Sequence, residues 1–273
     1  ITDKFTVEVD GQRIKISCND LKTIANIKEG NYIIVEYFAT LNQNAAVGLP
    51  GNENEVYLEY SNNPDQSGKG KTGKTPTDKV IVFTYELDAT KIDGQKTDKK
   101  LAGAEFVLKR KDSENPEAFQ YATFDGNSKV TGWVGNSDGA TKLISADKTG
   151  LFKAIGLDAG TYYLQETKAP SGYNLLTTDI KIEIEATTRN NQNWTEVPED
   201  ALEELKVKVN DGSNPVSGSV DEGTVKITVE NKQGSTLPST GGMGTTIFYV
   251  VGTILVLAAV VLLITKKRMH ADK

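Results

Sequence analysis

The sequence predicts a mainly β chain: tandem β-sandwich domains followed by one C-terminal transmembrane helix. Three observations lead there. Short apolar–polar alternations recur through residues 1–232 and are broken by turn signals. Residues 64–78 (PDQSGKGKTGKTPTD) contain no large apolar residue and read as a linker between two such stretches. Residues 245–265 (TTIFYVVGTILVLAAVVLLIT) carry no charge.

The elements follow in order. Phe5, Val7 and Val9 alternate with polar residues, as do Ile14 and Ile16, and Asp10-Gly11 between them is a hairpin turn signal. Residues 31–40 (NYIIVEYFAT) and 80–85 (VIVFTY) are β-rich runs. Residues 125–141 are rich in Asp, Asn, Ser and Gly. They predict hairpin turns rather than a calcium loop, because Lys129 interrupts the ligand spacing. Residues 198–205 (PEDALEEL) have helical spacing and predict one or two helical turns. The expected organisation is a domain portion over 1–63, a linker over 64–78, a complete domain over 79–232 and a C-terminal segment over 233–273.

Composition narrows the chemistry. The 273 residues include one cysteine, Cys18, and one histidine, His270. No internal disulfide, Cys/His zinc site or histidine-dependent catalysis can be built from them, so no metal and no cofactor are expected. An excess of 37 Asp+Glu over 31 Lys+Arg argues against a nucleic-acid partner.

The uncharged stretch is long enough to cross a hydrocarbon core of about 30 Å at about 1.5 Å rise per residue. Lys266, Lys267 and Arg268 come directly after it and hold the tail on the cytoplasmic side. Just before it stand Leu237, Pro238, Ser239, Thr240 and Gly241. Pentapeptide, apolar span and basic tail together resemble the LPXTG cell-wall sorting signal of Gram-positive surface proteins. The resemblance implies that a sortase cysteine attacks the Thr240 carbonyl and releases Gly241 onward. The acyl group then passes to an amine of peptidoglycan or of another subunit. Sorting presupposes export, yet the chain begins at Ile1 without an initiator methionine or an export signal. It therefore reads as part of a longer protein.

Side chains alternate across a strand, so parity assigns each residue to a face. Ile81, Phe83, Tyr85, Leu87 and Ala89 share one parity, and Lys91 is next on it. Val225, Ile227 and Val229 lead in the same way to Asn231, and Tyr162 and Leu164 to Glu166. Each polar group could stand at a strand end and reach water. All three inward together point to chemistry instead. A desolvated lysine loses its proton and becomes a nucleophile, while a desolvated glutamate keeps its proton and can donate it. If the three meet, the amine attacks the Asn231 carboxamide, ammonia leaves, and a neutral Lys91–Asn231 isopeptide bond forms with Glu166 as the catalytic group.

Residues 162–173 (YYLQETKAPSGY) then resemble the E-box of CnaB-type domains in Gram-positive pilins and adhesins. The match falls on Tyr162, Leu164, Glu166, Thr167, Ala169, Pro170, Gly172 and Tyr173. Residues 101–106 (LAGAEF) and 156–162 (GLDAGTY) are similar to that family too. The resemblance implies immunoglobulin-like, Cna-type sandwiches, with a reactive lysine in the first strand and an asparagine in the last, which maps onto Lys91 and Asn231. Residues 37–42 and 57–64 resemble the end of the middle domain of backbone pilins. There an asparagine at a strand end is joined to an upstream lysine. Leu58 and Tyr60 put Asn62 on the inward parity, with its partner expected before Ile1.

Together these features indicate the C-terminal portion of a sortase-assembled backbone pilin. Its expected partners are pilin-specific and housekeeping sortases, other pilin subunits, peptidoglycan and, before sorting, the membrane. The alternative is a monomeric wall-anchored adhesin. The spacer of only five residues between Asn231 and Leu237 favours the pilin, since such adhesins carry longer wall-spanning stalks. A wall-anchored hydrolase would need a carboxylate pair, and no such motif stands out.

Overall fold

The structure, a computed structural model, describes residues 2–62, 70–189, 197–212, 214–234 and 251–253. The chain divides into two compact units, residues 1–42 and 43–273.

In the first unit, β1 (Thr6–Asp10) and β2 (Arg13–Ser17) form an antiparallel hairpin in unbroken register from Thr6↔Ser17 to Asp10↔Arg13. Gly11 makes its turn at φ +57, a conformation that costs glycine little. Residues 31–40 form no strand, contrary to their composition, and Tyr32, Ile34 and Phe38 are exposed. A strand is held by its ladder, and within the described residues of this unit β1 and β2 pair only with each other.

The second unit carries β3 (Asn52–Val56), β4 (Glu59–Ser61), β5 (Thr72–Lys74) and β6 (Asp78–Val82). β3 pairs with β6 and β4 with β5, so residues 64–78, expected as a linker, contain the strand β5, which pairs back onto β4. Residues 43–62 therefore belong to the same compact body as β5 and β6. The unit boundary lies between Asn42 and Gln43.

Two sheets make the body of this unit. The smaller has the order β12 (Leu151–Leu157), β7 (Tyr85–Asp93), β17 (Thr224–Asn231). In it β7 is antiparallel to β12 and parallel to β17. The larger runs β10 (Val130–Val134), β9 (Phe119–Phe124), β8 (Glu105–Lys111), β13 (Gly160–Lys168), β14 (Ile180–Thr188), β15 (Leu202–Val209), β16 (Val216–Ser217), with β11 (Leu143–Ile144) on β8. Inward residues of both sheets form one apolar core, among them Leu87, Ala89, Phe152 and Val225 from the smaller and Phe106, Leu164, Ile182 and Val207 from the larger. Phe106 and Phe152 stack across it at 4.6 Å. Two faces with period-two apolar residues, each burying its face on the other, define a β-sandwich.

The helical expectation at residues 198–205 gives way here. Pro198–Asp200 is a single 3-10 turn, and Leu202 opens β15. Leu202, Leu205 and Val207 are buried, and Val207 pairs with Ile184 of β14. A ladder with β14 and burial in the sandwich outweigh a weak local helical preference. Residues 125–129 do turn a hairpin between β9 and β10, with Asp125 Oδ1 accepting from Asn127 N and Lys129 N at 2.8 and 2.9 Å.

The sorting pentapeptide Leu237–Gly241, most of the apolar span 245–265 and the basic tail lie outside the described residues. Of the span only residues 251–253 are described, and they are helical. Among the described residues no helix is long and apolar enough to cross a membrane.

Candidate functional site

β7 buries alternate residues Tyr85, Leu87, Ala89 and Lys91, and β17 buries Val225, Ile227, Val229 and Asn231. β13 does the same with Tyr162, Leu164 and Glu166. The apolar residues of each strand are drawn into the core, and the fixed period of two carries the last polar residue in after them. Lys91 and Asn231 are fully buried, and the Glu166 side chain is equally closed to solvent.

The three side chains meet. Lys91 Nζ is in hydrogen-bond contact with Asn231 Oδ1 and donates to the Val229 carbonyl at 3.2 Å. Glu166 Oε1 lies 3.7 Å from Lys91 Nζ and has no hydrogen-bond partner among the described residues. The other carboxyl oxygen, Oε2, accepts from Asn231 Nδ2 at 2.9 Å and from the Leu176 N–H at 2.8 Å. Asn231 Nδ2 also donates to the Asn174 carbonyl at 2.7 Å. The Phe106 ring, 5.8 Å from Lys91 Nζ, walls the site on its apolar side.

Burial pushes the Lys91 amine down from 10.5 to about 8, with the nearby Glu166 carboxyl partly opposing that shift. A neutral, nucleophilic form of the amine is thereby accessible near neutral pH. The carboxyl of Glu166 straddles the pair, one oxygen facing the amine and the other facing the amide nitrogen that would leave. It is placed to take a proton from Nζ and return one to Nδ2. The arrangement can therefore perform an amide exchange: Nζ bonds to Asn231 Cγ, the Cγ–Nδ2 bond breaks, and ammonia departs.

Asn62 stands elsewhere. It is exposed just past β4, and its N–H donates to the Lys71 carbonyl at 3.2 Å. Parity placed its side chain inward, but β4 and β5 form a two-stranded ladder whose residues are mostly exposed. Sequence reasoning missed the Asn174 carbonyl and the Leu176 N–H. They are main-chain groups, so no residue type marks them. It also missed Asp93 and the hydroxyl role of Tyr173, although Tyr173 closes the E-box-like run. Among the described residues no group of His, Cys, Asp and Glu is arranged to hold a metal ion.

Residues 85–198 match the SpaA family, described as a prealbumin-like fold domain, and residues 229–270 match the LPXTG cell wall anchor motif. The chain is 25% identical over 327 aligned residues to the trypsin-resistant surface T6 protein of Streptococcus pyogenes serotype M6, covering 98% of this chain and 55% of that one. The crystal structure of the group B streptococcus pilus 2b backbone protein is 31% identical, covering 62% of this chain and 50% of the other at TM-score 0.41. A 35 kDa C-terminal fragment of the major pilin GBS80 of Streptococcus agalactiae is 25% identical, covering 70% and 57% at TM-score 0.42. The chain thus spans about half the length of these relatives. The LPXTG cell wall anchor motif marks the chain as a cell-wall-anchored Gram-positive surface protein, and residues 85–198 match the SpaA prealbumin-like fold domain.

Proposed function

We propose that the chain is the C-terminal part of a pilus backbone subunit, polymerised and anchored through Thr240 and stabilised by an autocatalytic Lys91–Asn231 isopeptide bond. The single observation that carries the reading is the enclosed triad of Lys91, Glu166 and Asn231 in a chain that also bears a sorting signal. A charged pair held out of water is costly, and converting lysine and asparagine into a neutral amide removes that cost. On this reading residues 79–232 are the cross-linked domain and Glu166 is its proton carrier. The protein acts as a sortase substrate and a structural element of surface adhesion rather than as an enzyme with turnover.

Two measurements test it. Intact mass of the folded chain should be lower than calculated by one ammonia, and the missing mass should map to a branched peptide joining Lys91 to Asn231. Wall extracts of producing cells should show an SDS-resistant ladder that Thr240→Ala abolishes. A full calculated mass overturns the cross-link. A single wall-linked band in place of the ladder assigns a monomeric anchored adhesin instead.

A further inference from the structure

The loop between β13 and β14 supplies the main-chain groups that touch the Asn231 carboxamide nitrogen and the Glu166 carboxyl. Asn174 offers its carbonyl to Asn231 Nδ2, and Leu176 offers its N–H to Glu166 Oε2. The orientation of the carboxamide and of the carboxyl therefore depends on where this loop sits. A misplacement of about 1 Å at a reacting centre can cost about a hundredfold in rate.

Tyr173, immediately before Asn174, ties the loop to β7. Its hydroxyl donates to Asp93 Oδ2 at 2.7 Å and accepts from Lys99 Nζ at 2.8 Å. Asp93 is buried at the end of β7, two residues past Lys91 and in direct register with Asn231. Its other oxygen accepts from Gln95 N at 2.8 Å and Lys96 N at 3.2 Å, which orients the carboxylate before the tyrosine arrives. The Gln95 N–H and the Tyr173 hydroxyl together hold the Asp93 carboxyl below its ordinary range. On its other side the loop bonds the chain beyond Asn231. Asn174 N donates to the Lys232 carbonyl at 3.0 Å, and Tyr173 bridges to Gln233. One loop is thus fastened to both strands that carry the reacting residues.

We propose that the Asp93–Tyr173 hydrogen bond is a positioning device for the cross-link, holding residues 173–176 so that Asn174 and Leu176 aim the Asn231 carboxamide and the Glu166 carboxyl at Lys91. Neither residue touches the reacting atoms. Both act through the loop backbone. The proposal rests on the Lys91–Asn231 reading given above.

The test uses Tyr173→Phe, which keeps the ring and removes only the hydroxyl. The full chain is made by cell-free translation, and loss of ammonia is followed by intact mass over time beside the unsubstituted chain. The variant should react at least about tenfold more slowly. In a Lys91→Ala background, where no cross-link can form, Tyr173→Phe should also shift the NMR resonances of the Leu176 amide and the Asn231 carboxamide. A clamp that served stability alone would lower the melting temperature and leave those resonances in place. Equal progress of the two chains at every time point overturns the proposal, and so does a slower reaction with unmoved resonances. An unsubstituted chain that never loses ammonia is a separate outcome, which removes the cross-link reading and this one with it.

Discussion

Lys91 and Asn231 sit on the parallel neighbours β7 and β17, two register positions apart: Lys91 pairs with Val229, and Asn231 pairs with Asp93. Both side chains share the inward face, and the lysine stem spans the diagonal to bring its amine to the carboxamide. A bond at this point would join the first and last strands of the sandwich, 140 residues apart in sequence. Tension entering through β7 and leaving after β17 would then run through covalent bonds and bypass residues 92–230.

Asn231→Ala removes the acceptor. The intact mass should return to the value calculated for the substituted chain, and stability should fall. Closing a loop of this length restricts the unfolded chain by about 5 kcal/mol in the chain-entropy model. Denaturant titration of the variant against the unsubstituted chain measures the difference. Equal midpoints would mean that no bond constrains the native chain.

Glu166→Ala leaves the amine and the amide in place but removes the proton carrier. Ammonia should be retained over the period in which the unsubstituted chain reacts to completion. The Leu176 N–H and Asn231 Nδ2 also lose their shared acceptor. Breaking such a buried polar set by deleting one member costs about 3–5 kcal/mol. Time-resolved mass and a thermal melt check the two effects separately, and cross-linking at an unchanged rate would remove Glu166 from the chemistry.

The lowered Lys91 value sets a pH dependence. The attacking species is the neutral amine, so the rate should rise about tenfold per pH unit below the shifted value near 8 and level off above it. Stability of the chain before cross-linking has a definite sign as well. Between about 8 and 10.5 the unfolded chain holds the lysine proton and the folded chain does not, so stability rises with pH across that window. After the amide forms, neither dependence should remain. A reaction rate that is flat from about pH 6 to 8 would exclude this amine as the titrating nucleophile.

Gly150 supports Lys91 from the side. Its carbonyl accepts from Lys91 N at 2.8 Å, its φ is +64, and a Cβ there would lie 2.4 Å from the Lys91 carbonyl oxygen. Gly150→Ala should displace the β7 backbone at the nucleophile. A strained backbone position costs about 1–3 kcal/mol. The variant should melt lower and cross-link more slowly, as read by calorimetry and by mass. Unchanged values of both would mean that the strand yields freely at that point.

Much of the fold was legible because β alternation is local. The residues of β7, β13 and β17 that the parity rule turns inward are buried, including the three polar ones. Two elements were misread for opposite reasons. Residues 31–40 have strand composition but no ladder among the described residues of their unit, while residues 202–205 have helical spacing but a ladder on β14. Strand formation depends on a partner, and a partner is not encoded in the strand that needs it. The supports contributed by Asn174 and Leu176 left no trace in the sequence, since any residue offers the same carbonyl and N–H.

The sequence by itself determined the sorting signal, the inward faces of the strands and the identity of the three polar residues on them. Each of these is a property of consecutive residues, carried by composition or by the period of two. Only the tertiary structure decided that β7 and β17 are parallel neighbours in this register. It alone placed Glu166 Oε1 toward the amine and Oε2 toward the amide, and bound the Tyr173 loop to both strands. Those relations join residues as many as 140 positions apart and pass partly through the main chain. They come into being when the two sheets bury their apolar faces against each other, and no shorter stretch of the chain contains them.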